Sequence, residues 1–331
     1  MSQVYLRGVG AYVPNGRRTN SELATRLGVT EDYIVKLTGI RERHIAAPDE
    51  ATSDMAVRAA QAALDHAGVA TDEIDALLVA TASADHMTPS TANLVQHHLG
   101  LKPVPAYDLN AGCTGSLYAL ITGAGLIRAG ICQTVLVIGA ELTTRLIDKK
   151  DVETALVFGD AAGAIVLQAG DHGECGLRLL SHYWASDGEK SQVIMMPAGG
   201  SRQPTSHETV EQGGHYLRMN GSSVFRFAVR TLPVLVTDVL KRAGRSLDDL
   251  DLLIPHQANW RIIEAAMRKL ELPREKVMVN IERYGNTSSA SVLVALQEAW
   301  SGGRLQANDT VVMASFGAGL TWAAIVLEVS G

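Results

Sequence analysis

The chain has 331 residues, of which 47% are apolar and 19% are charged, so it is not a disordered chain and can form a sizeable core. Its net charge is −6, from 29 basic and 35 acidic residues. This charge argues against a general nucleic-acid binder, because such proteins are usually basic.

Short apolar runs alternate with amphipathic stretches along the chain. Within residues 1–14, Arg7 interrupts the only apolar stretch, so no signal peptide is evident, and no later run is long enough for a membrane span. Strands are predicted at 76–82, 134–139 and 162–168. Helices are predicted from a capping box at 19–22, at 53–67 with Ser53 as the cap, at 114–128, at 222–243 with a kink at Pro233, at 260–270 and at 288–300. This alternation predicts parallel sheets covered by helices. With neither a signal peptide nor a membrane span evident, we expect a soluble, cytoplasmic enzyme or binding protein.

Two parts of the sequence echo each other. The segment EIDALLVA (73–80) resembles DLDLLIPH (249–256), and TVLVIGAE (134–141) resembles TVVMASFG (310–317), each pair being 176 positions apart. We therefore predict two related α/β halves, residues 1–170 and 171–331, whose two sheets share a central layer of helices.

Cys113 is the first candidate catalytic residue. It stands at the start of the predicted helix 114–128, where the helix dipole and backbone N–H groups favour a thiolate. That placement predicts a thiol pKa below the usual value of about 8.5, and hence a nucleophile. A small buried core cysteine is the alternative. Cys132 and Cys175 lack this placement, and three cysteines fit neither a disulfide framework nor a zinc motif, which is typical of a reducing cytosol.

His256 and Asn286 are the other candidates. His256 ends the strand-like run LDLLIP, and Asn286 lies in the counterpart of the loop that carries Cys113 in the other half. All three residues thus lie at C-terminal strand ends, where open parallel sheets form their ligand crevices. A lone histidine is more often structural, but this conjunction favours a site.

The segments around these residues closely resemble the β-ketoacyl-ACP synthase III family, which has the thiolase fold. They are AGCTGSLYAL around Cys113, PHQANWRII around His256 and YGNTSSASV around Asn286. Similar segments elsewhere are TGIRERHIAAP (38–48), VFGDAAGA (157–164), YLRMNGSSVF (216–225) and SFGAGLTWAA (315–324). The resemblance runs from Gly8 to Leu327 and implies a duplicated, five-layer αβαβα fold with two mixed sheets around buried central helices.

The resemblance also implies a decarboxylative Claisen condensation. Cys113 would take an acyl group from a thioester donor, and malonyl-ACP would follow. His256 and Asn286 would donate hydrogen bonds to the malonyl thioester oxygen and stabilise the enolate that forms as CO₂ leaves. The backbone N–H groups of Cys113 and Ala318 would hold the acyl oxyanion. No metal or organic cofactor is expected, because loss of the substrate's own carboxylate drives the reaction.

The family pattern further implies substrate-binding residues, and some of them differ here. They are Tyr33, Thr88, Met219, Gly221, Asn259, Arg261 and Phe316. Tyr33 stands in place of a tryptophan, and Leu37 and Val152 in place of two arginines, in a region where the family stacks the adenine of CoA. The donor is therefore left open between acyl-CoA and acyl-ACP. Thr88 stands where a phenylalanine of the partner subunit often closes the acyl pocket, which indicates a longer or branched starter.

Partners follow from the same resemblance. Arg261, Arg268 and Lys269 could steer the acidic acyl carrier protein, with an ordinary solvated helix face as the alternative, and Trp260 could line the tunnel or simply pack. A homodimer is expected because the family's pocket is closed by a partner loop, here around residues 84–90.

Two alternatives remain open at this point. One is a related enzyme that transfers an acyl group to a small-molecule acceptor, or condenses it there, in secondary metabolism; Asn286 argues against acyl transfer because an amide cannot accept the acceptor's proton. The other is a silent carrier-protein-binding module, against which the complete Cys–His–Asn set argues. The motifs GxSxG, HExxH, GxxxxGK[ST] and CxxC are absent, and Gly123-Ala-Gly125 lacks the third glycine of a dinucleotide fingerprint.

Overall fold

The computed structural model describes residues 2–170 and 175–330. The strands in this part of the chain are β1 Gln3–Tyr12, β2 Gly16–Thr19, β3 Glu42–Ile45, β4 Ala76–Ala80, β5 Ala106–Leu109, β6 Thr134–Glu141, β7 Ala161–Gly170, β8 Leu177–Ser186, β9 Ile194–Met195, β10 Arg218–Met219, β11 Leu252–Pro255, β12 Thr310–Gly317 and β13 Thr321–Val329. The α-helices are α1 Asn20–Leu27, α2 Glu31–Thr38, α3 Thr52–Ala67, α4 Thr91–His98, α5 Gly115–Arg128, α6 Val152–Ala155, α7 His207–Glu211, α8 Gly221–Arg242, α9 Trp260–Leu270, α10 Ile281–Tyr284 and α11 Ser291–Ser301. The 3₁₀ turns Gly112–Thr114 and Ser288–Ala290 precede α5 and α11.

Among the described residues, nine strands form one hydrogen-bonded sheet in the order β11-β12-β13-β8-β1-β7-β6-β4-β5. Strands β1, β4, β5, β6 and β7 form one mixed unit, and β8, β11, β12 and β13 form the other. The two units meet where Tyr5 and Leu6 of β1 pair with Arg178 and Leu177 of β8. The two predicted mixed sheets are thus continuous at this seam.

The buried apolar residues fall into three principal layers. The central cluster joins one face of both units to helices α5 and α11. A second cluster packs α3 and α4 on the outer face of the first unit, and a third packs α8 and α9 on the outer face of the second. These layers give the predicted αβαβα order. The helices α5 and α11 are largely apolar on all sides because sheets cover them on both faces.

The sequence echo corresponds to a repeated hydrogen-bonded unit. Ala76 of β4 lies opposite Val135 of β6 in a parallel pair, and the equivalent residues of β11 and β12 have the same register. The carboxylate of Asp75 accepts from the backbone N–H of Thr134, and the carboxylate of Asp251 accepts from that of Thr310. The predicted boundary between the halves, at 170 and 171, borders residues 171–174, which lie outside the described residues.

Most predicted elements are present with shifted ends. The capping box at Thr19 and Glu22 is confirmed. The strand predicted at 76–82 ends at Ala80, and helix α8 continues through Pro233. The prediction that Ser53 caps α3 is wrong. The cap is Ala51, whose N–H donates to Asp54, while Ser53 instead donates from its backbone and its hydroxyl to the carboxylate of Asp85.

Candidate active site

A cavity of about 620 Å³ lies at the C-terminal ends of the strands of both units. Cys113, His256 and Asn286 all line it, so the structure brings the three predicted residues together. Each comes from a different segment: the turn before α5, the end of β11 and the turn before α11. Parallel strands β4, β6, β11 and β12 direct their carboxyl ends to this side of the molecule.

Cys113 lies in the 3₁₀ turn Gly112–Thr114, and helix α5 begins at Gly115, one residue later than predicted. The cavity leaves it partly accessible, yet protein encloses the sulfur, and this burial raises the pKa of the Cys113 thiol to about 11. A hydrogen bond from Ser288 lowers the pKa, and the nearby carboxyl of Glu141 raises it. The predicted lowering of the thiol pKa is therefore wrong, because desolvation of the thiolate outweighs its stabilisation by the helix N-terminus.

His256 follows β11 and is 1% exposed. Its Nδ1 lies 2.5 Å from the hydroxyl of Ser291, and its ring meets the ring of Phe316 edge-on. Burial lowers the pKa of His256 to about 3, so the imidazole is neutral at pH 7. With Nδ1 engaged by Ser291 and no partner for Nε2 among the described residues, Nε2 is the nitrogen available to the cavity.

Asn286 is held by three hydrogen bonds. Its Oδ1 accepts from the N–H of Ser288 at 2.8 Å, its N–H donates to the carbonyl of Val157, and its carbonyl accepts from Gly159. Because the amide oxygen already has this donor, the side-chain NH₂ remains for a ligand in the cavity. His256 and Asn286 therefore supply neutral hydrogen-bond donors.

The Cys113 turn and the turn after β12 are in close backbone contact. A Cβ atom on Gly317 would lie 2.7 Å from the backbone nitrogen of Cys113, and one on Gly112 would lie 3.0 Å from that of Ala318. The hydroxyl of Ser315 also donates to the carbonyl of Cys113 at 2.8 Å. The N–H groups of Cys113 and Ala318 are thus neighbours, as an oxyanion hole made from them requires.

The predicted substrate-binding residues fall into two groups. Met219, Gly221, Asn259 and Phe316 line the cavity. Tyr33, Thr88 and Arg261 lie outside the cavity lining of the described chain: Tyr33 is exposed, and the neighbour of Thr88, Met87, lines the cavity instead.

The predicted docking residues on α9 have different surroundings. The guanidinium of Arg261 lies over the ring of Phe225, which lines the cavity, so Arg261 is at its rim. Arg268 pairs with Glu264 at 3.2 Å. Trp260 lies outside the cavity lining and packs against the α8–α9 cluster, below the guanidinium of Arg274.

Sequence reasoning missed Glu141, Ser288 and Ser291. Glu141 ends β6, lines the cavity and is 1% exposed. The available signal was a charged residue closing an otherwise apolar strand, TVLVIGAE, where its echo ends in glycine. The serines gave no such signal, because a serine-rich turn before a helix is common in loops that carry no chemistry.

Within the described residues, no cluster of three or more histidine, cysteine, aspartate or glutamate side chains could hold a metal ion. In the same part of the chain, every helix is too short or too polar to cross a membrane.

A duplicated α/β fold whose strand ends gather a cysteine, a neutral histidine and an asparagine around one cavity defines a thiolase-type enzyme. Residues 107–188 match the family model of 3-oxoacyl-[acyl-carrier-protein (ACP)] synthase III, and residues 240–329 match the model of its C terminal part. The chain is 46% identical over 325 residues to the beta-ketoacyl-[acyl-carrier-protein] synthase III of Symbiobacterium thermophilum, covering 98% of each protein. The chain belongs to the β-ketoacyl-ACP synthase III family.

Solved structures agree with this assignment. The 3-oxoacyl-[acyl-carrier-protein] synthase III of Aquifex aeolicus superposes with a TM-score of 0.90 at 37% identity, covering 98% of this chain and 99% of that one. The priming beta-ketosynthase of the R1128 polyketide pathway superposes with a TM-score of 0.89 at 35% identity, covering 98% and 96%. The thiolase fold implied by the sequence is thereby confirmed.

Proposed function

We propose that this protein catalyses the β-ketoacyl-ACP synthase III reaction: decarboxylative condensation of an acyl thioester with malonyl-ACP through an acyl-Cys113 intermediate. The observation that carries the proposal is that Cys113, His256 and Asn286 line one cavity. Ser291 binds Nδ1 of His256 and the N–H of Ser288 binds Oδ1 of Asn286, so the other nitrogen of each side chain is left to donate to a substrate. The near-full-length relatives of the same family support it.

In the first half-reaction, the Cys113 sulfur attacks the carbonyl carbon of the acyl donor. The backbone N–H groups of Cys113 and Ala318 stabilise the oxyanion, and the pantetheine thiol leaves. The acyl chain then occupies the apolar part of the cavity, which includes Leu146, Phe158 and Leu217.

In the second half-reaction, the thioester oxygen of malonyl-ACP accepts hydrogen bonds from Nε2–H of His256 and from the amide of Asn286. Both donors are neutral, so they stabilise the enolate without competing with it for a proton. CO₂ leaves, and the enolate carbon attacks acyl-Cys113, releasing the sulfur and forming a 3-oxoacyl-ACP. This chemistry needs no metal or organic cofactor.

The acyl donor binds chiefly through its pantetheine arm, which CoA and the acyl carrier protein share. Leu37 and Val152 pack against one apolar cluster that includes Ile34 and Leu156, so neither position offers charge to an adenine phosphate. Asn259, whose side-chain nitrogen donates to the carbonyl of Leu37, lines the cavity next to this region. Arg261, whose guanidinium lies over Phe225 at the rim, supplies a positive charge there for an acidic carrier protein.

The working form is a homodimer in the cytoplasm. Met87 lines the cavity and yet is 90% exposed, so the cavity is open to a covering chain there. Tyr107 is an exposed aromatic residue on β5, the edge strand of the sheet. Light scattering of the purified protein should give twice the mass of the chain, and a monomer would contradict this part of the proposal.

The function is tested with purified protein, acyl-CoA and acyl-ACP donors, and malonyl-ACP. We expect an acyl adduct on Cys113 in intact-mass spectra, CO₂ release and a 3-oxoacyl-ACP product. The variant Cys113→Ala should lose the adduct, with Cys132→Ala as the matched control that keeps it. An adduct without CO₂ release from malonyl-ACP would instead indicate acyl transfer to a small acceptor, and no adduct with any donor would contradict the proposal.

A further inference from the structure

Glu141 is a buried carboxyl group that the proposed reaction does not yet use. It ends β6, is 1% exposed and lines the same cavity as Cys113. Its oxygens accept hydrogen bonds from the backbone N–H of Ala82 and from the hydroxyls of Ser83 and Ser289, at 2.9–3.2 Å. The group is therefore held in one position rather than free to leave the cavity wall.

A serine connects this carboxyl group to the proposed nucleophile. The hydroxyl of Ser288 lies 3.2 Å from Oε1 of Glu141 and 3.5 Å from the sulfur of Cys113. Ser288 has a left-handed backbone (φ 51°), and its backbone N–H donates to Oδ1 of Asn286, so its backbone is held where its hydroxyl lies between the two groups. A hydroxyl can accept one proton while donating its own, and this geometry allows both at once.

The thiol of Cys113 needs a proton acceptor, because burial raises its pKa to about 11. The titratable side chains that line the cavity are Cys113, Glu141, His215 and His256, and its described lining contains neither lysine nor arginine. His256, with a pKa of about 3, is a weak base, and His215 is bound to Thr209. Burial raises the pKa of Glu141 to about 7, the value at which a general base works best at neutral pH.

We propose that Glu141 acts through Ser288 to remove the thiol proton as Cys113 attacks the acyl donor. The S–H bond breaks and its proton goes to Oγ of Ser288, while the hydroxyl proton of Ser288 goes to Oε1 of Glu141. The products are a thiolate, an intact serine and a neutral carboxylic acid. The departing pantetheine thiolate takes up one proton, and Glu141 loses one, so the carboxylate is restored. This inference deepens the proposed function and rests on the role of Cys113 as nucleophile.

A purely electrostatic effect of Glu141 predicts the opposite result. The carboxylate charge raises the pKa of Cys113, so removing the charge would lower that pKa and make the thiol more reactive. Proton transfer through Ser288 predicts instead that removing the carboxylate makes the thiol less reactive near neutral pH. The sign of the change in one variant therefore separates the two roles.

The experiment measures the rate of alkylation of Cys113 by iodoacetamide from pH 5 to 10, read by peptide mass spectrometry to separate it from Cys132 and Cys175. In the wild type, the rate should rise through an inflection near pH 7, where Glu141 ionises, before the thiol's own ionisation adds to it. Glu141→Gln should remove the inflection and lower the rate at pH 8 by about 10²-fold, the lower range for general-base catalysis. A faster rate in Glu141→Gln, or no inflection in the wild type, would overturn the proposal.

Two serine variants keep the test decisive even where Glu141→Gln does not fold. Ser288→Ala removes the connecting hydroxyl and should abolish the inflection. Ser289→Ala is the matched control: it removes a hydrogen bond that lowers the pKa of Glu141 but leaves Ser288 in place. Its inflection should persist and move to higher pH. An inflection retained in Ser288→Ala, or lost in Ser289→Ala, contradicts the proposal.

Because iodoacetamide is not a substrate, alkylation reports on Glu141 whatever the acyl donor is. Failure of this proposal would therefore leave acyl loading and condensation intact, whereas failure of the proposed function would leave the pH profile of alkylation unchanged. Far-UV circular dichroism and thermal unfolding establish that each variant is folded before its profile is compared.

Discussion

The amide of Asn286 is presented to the cavity by the N–H of Ser288, which fixes its oxygen side. In Asn286→Asp, a carboxylate would replace the amide donors and would repel the enolate. We expect condensation to fall by about 10²–10³-fold, the usual cost of removing one oxyanion donor. Acylation of Cys113 should persist, because the amide does not serve that step. CO₂ release and the intact-mass adduct, measured on the same sample, check the prediction, and an equal loss of both would contradict it.

At the scale of single residues, the sequence sufficed to predict that Cys113, His256 and Asn286 meet in one cavity, but not which groups surround them there. Their types and positions at strand ends predict a common site. The predicted direction of the Cys113 pKa shift is wrong. The sequence shows that Cys113 stands near a helix N-terminus, which lowers the pKa, but it does not show the burial by distant segments, which raises the pKa by more. Glu141 and Ser288 come from elements 147 positions apart, so their contact could not be read from spacing.

At the scale of elements, the site depends on how closely β12 approaches the Cys113 turn. Gly317→Ala would place a methyl group 2.7 Å from the nitrogen of Cys113 and 3.0 Å from its Cβ, so the turn must move. We expect acyl loading of Cys113 to fall by about 10²-fold, as displacements of about 1 Å in a reacting group can cost. Intact-mass kinetics of acylation provide the measurement.

Gly125→Ala is the matched control for that change. Gly125 lies in α5, where an added Cβ has nothing within 4 Å, so alanine should raise helix stability by about 0.5–1 kcal/mol without slowing acylation. Unfolding in urea gives the stability of both variants. Normal acylation in Gly317→Ala, or equal slowing in both variants, would show that the contact at Gly317 does not position Cys113.

Helices and strands could be predicted where the local sequence carries a strong capping or apolar pattern. The capping box at Thr19 and the apolar strands were predicted from local sequence, because capping and strand burial leave local patterns. The segment 187–219 was not predicted: it contains only short elements such as β9, β10 and α7, which are too short to show a period. Ser53 was misassigned because a serine can also bond a distant carboxylate, here that of Asp85.

At the scale of the whole molecule, duplication explains why the site lies between the two units. In each unit, a turn that carries polar residues precedes the central helix: Cys113 lies in one turn and Asn286 in the other. The shared central layer brings both turns to one cavity. A single β-bridge between Phe158 and Asn286 also joins the Asn286 turn to the first unit. The sequence echo predicts this symmetry, but the seam between β1 and β8 became visible only in the fold.

His256 and Glu141, two buried titratable groups of the cavity, should affect folding stability with opposite pH dependence. His256 has a folded pKa of about 3 against 6.5 for the free side chain, so the unfolded state alone binds its proton in this window, and stability falls as pH falls below 6.5. Glu141 has a folded pKa of about 7 against 4.5, so the folded state alone keeps its proton between these values, and stability falls as pH rises from 4.5 to 7.

This opposition predicts a differential effect in two variants between pH 7 and pH 5. At about 1.4 kcal/mol per pKa unit, each group changes the free energy of unfolding by about 2 kcal/mol over this interval, in opposite directions. Relative to the wild type, His256→Asn should therefore gain about 2 kcal/mol on acidification, and Glu141→Gln should lose about as much. Urea unfolding at the two pH values measures both differences. Every other carboxylate and histidine is common to the three proteins. Equal pH dependence in all three would therefore mean that folding shifts neither the pKa of His256 nor that of Glu141, and would contradict the prediction.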